Sequence, residues 1–132
     1  MARYVIDAPT LLHLVSNNLQ VSPSNQIVAP NNIRSHALSL LFQAVRHGEL
    51  TEDLALQHHE RLTRLRMRLL GDRVSRSTAW RIACDHGWNT IDDAEYLAVT
   101  KLQADALVSI NPELAAKAEG IVRVAGLEAL FI

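Results

Sequence analysis

Residues 3–14 read RYVIDAPTLLHL. The first five, Arg3–Asp7, are rich in β-branched and aromatic side chains and end on an acid. That pattern predicts a buried strand. Pro9 and Thr10 then open a helix that runs to about Ser16. The same order returns near the other end of the chain. Ala106–Ile110 (ALVSI) reads as a second buried strand, and Pro112 suits the first position of a short helix through Ala118. Strands separated by helices specify an α/β domain with a parallel sheet. In such sheets ligands bind outside the carboxyl ends of the strands. Asp7 and Asn111 both stand at such ends, which makes them the first candidates for a shared site.

Between these two units the chain is mostly helical. Asn17–Asn25 carries Asn, Ser and Pro23 and reads as a loop. Gln26–Ala29 is too short to classify alone, and Pro30 ends it. Asn31 or Asn32 caps a clear helix, with Ile33, Ala37, Leu40, Leu41, Ala44 and Val45 at helical spacing and Gly48 as its stop. Thr51 caps a third helix whose predicted buried stripe is Leu54, His58, Leu62 and Leu65. Gly71-Asp72 breaks the chain. Ser75 or Ser77 starts a fourth helix that ends near Gly87. Thr90 with Asp93 resembles a capping box for a fifth helix. Ile121–Val124 is expected as the last short strand.

Composition sets the outer limits. The chain has 132 residues, 48% of them hydrophobic and 20% charged, which fits one folded domain over residues 1–132 and argues against disorder. Leu and Ala favour helix. The single Cys84 excludes an intramolecular disulfide and argues against a cysteine-based zinc site. No apolar run approaches a membrane span. The first residues, MARYVIDAP, reach an acid at Asp7 and do not read as a signal peptide. A cytoplasmic protein without a membrane partner is expected. Cys84 is expected as a small buried residue, and Trp80 and Trp88 as core or interface anchors.

Four stretches, in this order, resemble the PIN domain, the nuclease fold of VapC-type toxins. They are YVIDAPTLLHL, VAPNNIRSHALSLL, WNTIDDAEYLAVT and ALVSINPELA, and the resemblance covers essentially the whole chain. It implies a three-layer α/β/α fold with a central, mostly parallel sheet. It also implies a metal-dependent endoribonuclease, with convergent acids holding Mg²⁺ or Mn²⁺ and a metal-bound water attacking the phosphodiester. By the same resemblance Asp7 and Asp93 match the first and third acids and would be the metal ligands. His36 stands where the family carries a Glu, and Asn111 where it carries an Asp after Ser or Thr, here Ser109. Pro9 replaces a small polar residue, for which Thr10 is a partial substitute. In an active version His36 would be a ligand or base, and Asn111 would orient water. The loss of two negative charges predicts weak or lost cleavage. The resemblance also implies a homodimer and a small antitoxin-type protein partner.

The formal net charge is −1, yet the arginines are unevenly spread. Arg61, Arg64, Arg66, Arg68, Arg73, Arg76 and Arg81 fall in one stretch in which Asp72 is the sole acid. Such a stretch suits an RNA backbone, a solvated face or an acidic protein partner. Two functions remain in view: a PIN-type ribonuclease with reduced activity, and a non-enzymatic RNA-binding or protein-interaction module on the same fold.

Overall fold

The computed structural model describes residues 1–132. The opening strand, β1 (Ala2–Ile6), is the centre of a five-stranded sheet. Its apolar residues pair on both sides, with β2 (Asn25–Pro30) and with β4 (Ala106–Val108), each in parallel. A strand covered on both faces must be apolar without alternation. Val5, Ile6, Val28, Ala29 and Leu107 meet that requirement and are fully buried. β3 (Arg68–Leu70) joins the outer side of β2, and β5 (Val124–Ala125) joins the outer side of β4, again in parallel.

The strand order is therefore β3-β2-β1-β4-β5. The chain steps outward from β1 to β3, then returns to the far side of β1. Right-handed connections put the helices of the outward walk on one face and those of the return on the other. The first group is α1 (Ala8–Ser16), α2 (Ile33–Arg46) and α3 (Glu52–Arg64), which pack on one another. The second is α4 (Arg73–His86), α5 (Asp92–Gln103) and α6 (Pro112–Ala118). The result is a three-layer α/β/α domain with an all-parallel sheet. α1 buries Leu11, Leu14 and Val15 at helical spacing. α5 buries Tyr96 through Thr100 without interruption, because it is wedged between the sheet and α4. Of its two hydroxyls there, Thr100 Oγ1 donates to the Tyr96 carbonyl at 2.7 Å and the Tyr96 hydroxyl meets His36 Nδ1, so no polar atom is stranded. Replacing a fully buried core residue such as Leu97 by Ala would cost about 2–5 kcal/mol.

Several local expectations change. Gln26–Ala29, unclassifiable alone, is the heart of β2. β3 was hidden inside the arginine stretch, and a short turn of 3₁₀ helix, Leu127–Phe131, closes the chain. The last strand lies at Val124–Ala125 rather than Ile121–Val124. α4 starts at Arg73, capped by the Asp72 carboxylate accepting from Ser75 N–H at 2.9 Å, so neither Ser75 nor Ser77 is the cap. Gly87 ends this helix in the left-handed conformation, φ 67°, as a glycine stop should. The Thr90–Asp93 capping box does not form. Ile91 holds the N-cap position with helical backbone angles, and no side chain caps the helix. Asn32 holds that position for α2, also without a side-chain bond. In α3 the buried stripe is Ala55, His58 and Leu62; Leu54 is exposed. Cys84 is exposed rather than buried. Trp80 is 70% exposed and is no core anchor, whereas Trp88 is half-buried.

No helix is long and apolar enough to cross a membrane.

Candidate functional site

The strand order reverses between β1 and β4, and the carboxyl ends of those two strands define the usual ligand crevice of such a sheet. Asp7 follows β1, and Ser109 follows β4. Asp7 is also the N-cap of α1, as Asn111 is of α6. Two strand-to-helix turns therefore meet edge to edge, and their short polar side chains face one another.

The hydrogen bonds there follow one direction. Thr10 Oγ1 accepts from Ile110 N–H at 3.0 Å, which leaves its own proton for Asp7 Oδ1. Ser109 Oγ accepts from Asn111 N–H at 3.0 Å and donates to Asp7 Oδ2 at 2.8 Å. Thr10 N–H is the third donor to this carboxylate, reaching Oδ1 at 3.2 Å. An ionised carboxylate only accepts, and both hydroxyls here can only donate to it. Asp7 and Thr10 are 2% and 0% exposed, so the charge-assisted bonds between them form away from water, while Ser109 is half-buried. The Asp7 carboxylate is thus the knot that ties β1 and α1 to β4 and α6. Asn111 has a separate duty: its Oδ1 accepts Glu113 N–H at 3.1 Å.

Tyr96 brings the remaining candidates into the same neighbourhood. Its hydroxyl lies 3.1 Å from His36 Nδ1. Burial first, then the nearby Asp7 charge, holds the phenol above its usual range; Asp93 and Glu95 add to this, against the Ala8 backbone amide. The His36 ring is thereby held against Tyr96 through Nδ1. The Glu95 carboxyl is itself pushed up by burial and by Asp92, with Arg76 opposing. Asp93 is engaged by Lys117 Nζ at 2.9 Å. The same ammonium sits 5.1 Å above the Trp88 ring, a cation–π contact that fixes it.

Hard divalent cations need several free oxygen donors. Here both Asp7 oxygens accept hydroxyl protons, the Asn111 oxygen caps a helix, and Asp93 already has a cation. His36 has one ring nitrogen, Nδ1, engaged with the Tyr96 hydroxyl. No group of three His, Cys, Asp or Glu side chains converges as a metal site. The residues present do not fit the Mg²⁺ or Mn²⁺ centre that the resemblance implies. Lys117 was not singled out by sequence reasoning. Its partner is 24 positions away, and only the packing of α6 beside the start of α5 reveals the pair. Tyr96 and His36 are 60 positions apart, and only the fold brings them together.

The arginine stretch does not form one surface. β3 carries the chain across the sheet and divides it. Arg61, Arg64, Arg66 and Arg68 stay near the amino edge, whereas Arg73 and Arg76 begin α4 at the carboxyl edge. All are exposed. Arg76 donates to the Gly71 carbonyl at 2.6 Å.

No family model and no curated protein matches the sequence. The crystal structure of PAE2754 from Pyrobaculum aerophilum is similar in fold, with a TM-score of 0.70 and 23% sequence identity over 98% of this chain and 93% of that one. At that identity the likeness extends to the fold alone.

Proposed function

We propose that this chain is a PIN-like domain, of the VapC-type endoribonuclease kind, in which metal-dependent cleavage is weak or lost and the carboxyl edge binds RNA without cutting it. One observation carries the reading: the two surviving acids are already partnered, Asp7 by Thr10 and Ser109 and Asp93 by Lys117. Lys117 supplies inside the protein the positive charge that a metal ion would otherwise bring. Exposed Arg73 and Arg76 flank the same edge and offer contacts for phosphate. The resemblance extends the proposal to a cytoplasmic homodimer, with a small antitoxin-type partner.

The test measures cleavage and binding on the same single-stranded RNA, with Mg²⁺ or Mn²⁺ supplied. The native chain should bind RNA and leave it intact. Arg73→Glu with Arg76→Glu should weaken binding about tenfold or more, since two phosphate contacts are reversed. Asp93→Asn is the control for cleavage, because its surface pair contributes little to the fold. Asp7→Ala alone would confuse lost chemistry with lost folding. Robust metal-dependent cleavage by the native chain, absent from Asp93→Asn, would instead identify an active nuclease.

A further inference from the structure

The opposite edge of the sheet carries a groove that this reading does not use. It has a volume of about 690 Å³ and lies where β2 and β3 begin, bordered by Leu19–Pro23 and Leu65–Arg68. A depression of about 300 Å³ continues it between α1 and the end of α3, and the two share Leu19, Gln20 and Leu65. Arg66 and Arg68 line the first part, and Arg61 and Arg64 the second. No Asp or Glu lines either.

These arginines are not equivalent. Arg61 donates to the Val15 carbonyl at 3.3 Å, and Arg64 pairs with Glu60 at 2.6 Å. Arg66 and Arg68 are exposed and enter neither of the two ion pairs in the protein. Their charge is left for something outside the chain. The floor between them is aliphatic, formed by Leu19, Leu65 and Met67. No aromatic ring lines the groove or its extension. Single strands of nucleic acid are commonly held by stacking bases on aromatic side chains, and this surface offers none. An apolar floor with a rim of guanidinium groups suits carboxylates flanking an aliphatic side chain.

We infer that the amino-edge groove binds a short acidic segment of a partner protein, with Asp or Glu carboxylates on Arg66 and Arg68 and an aliphatic side chain on the Leu19–Leu65 floor. The site is separate from the carboxyl edge and stands whether or not that edge binds RNA.

The test is fluorescence anisotropy on the full chain with three labelled probes. They are a Glu/Leu peptide of about ten residues, the same peptide with Gln for every Glu, and an oligouridine of similar length. The Glu/Leu peptide should bind, and the Gln version should bind about tenfold more weakly or worse, because charge pairing is lost. Arg66→Glu with Arg68→Glu should lower affinity for the Glu/Leu peptide by about tenfold or more. Arg73→Glu with Arg76→Glu should leave it unchanged. If the charge-reversed pair does not melt like the native chain, Arg66→Gln with Arg68→Gln should give a smaller loss in the same direction. The inference is overturned if the Glu/Leu peptide does not bind, or if the folded Arg66 and Arg68 variants bind it as the native chain does. It is equally overturned if oligouridine binds more tightly and loses its affinity in those variants, which would assign the groove to RNA.

Discussion

The two edges of the sheet treat charge in opposite ways. At the carboxyl edge, acids, hydroxyls and one lysine are brought together and satisfy each other: Asp7 by Thr10 and Ser109, Asp93 by Lys117. At the amino edge, Arg66 and Arg68 stand over an apolar floor without an ion-pair partner. A charge spent on internal bonds contributes to the fold and is poorly placed for a ligand. A charge left unpaired contributes little to stability and is available to a partner. The edge that the family resemblance marks for chemistry is thus the one whose candidate acids, Asp7 and Asp93, already have partners inside the protein.

The largest effect expected from this contrast is that of Asp7→Ala. It removes the acceptor of two hydroxyl protons, that of buried Thr10 and that of half-buried Ser109. Each stranded polar group costs about 1–3 kcal/mol, so the loss should be about 2–6 kcal/mol by denaturant unfolding. Ser109→Ala removes one of those donors and strands Asn111 N–H, for about 1–2 kcal/mol. By contrast Arg66→Glu with Arg68→Glu should stay within about 0.5 kcal/mol of the native stability. A large loss in the arginine pair, or none in Asp7→Ala, would break the comparison.

A pH titration sharpens it. His58 is buried in α3, its Nδ1 has no partner, and burial, then the charge of Arg61, hold its pKa below the ordinary 6.5. The folded chain therefore takes up this proton less readily than the unfolded chain. Stability contributed by neutral His58 is present above pH 6.5 and is lost as pH falls from there through the lowered folded value. His58→Leu should flatten the decline in melting temperature between neutral pH and about pH 5. An unchanged pH profile would place the titrating group elsewhere. Lys117→Ala should also have a small effect, under about 1 kcal/mol, since its pair with Asp93 is partly exposed.

What could be read from the sequence was local and periodic. Arg3–Ser16 and Ala106–Ala118 each join an apolar run to a proline-marked helix start, and both units fold as their patterns predict. β3 was illegible because only three residues form it, and at a sheet edge they need not be buried. Thr90 and Asp93 have the right spacing for a capping box, but the chain enters α5 through Ile91 instead. The site was legible in membership and not in function. Asp7 and Asn111 lie where strand ends predicted, yet their bonds depend on partners 102 and 2 positions away that only the fold or the turn supplies. The arginine cluster was a cluster in sequence alone, because a strand crossing the sheet separates its two halves.

The central claim is that the carboxyl-edge acids are committed to the fold and not held open for a metal. A ligand that binds only the native state raises its melting temperature. The direct measurement is therefore thermal unfolding of the native chain and of Asp93→Asn, each with and without millimolar Mg²⁺. The account predicts no Mg²⁺-dependent shift in either. A clear rise for the native chain that disappears in Asp93→Asn would contradict it.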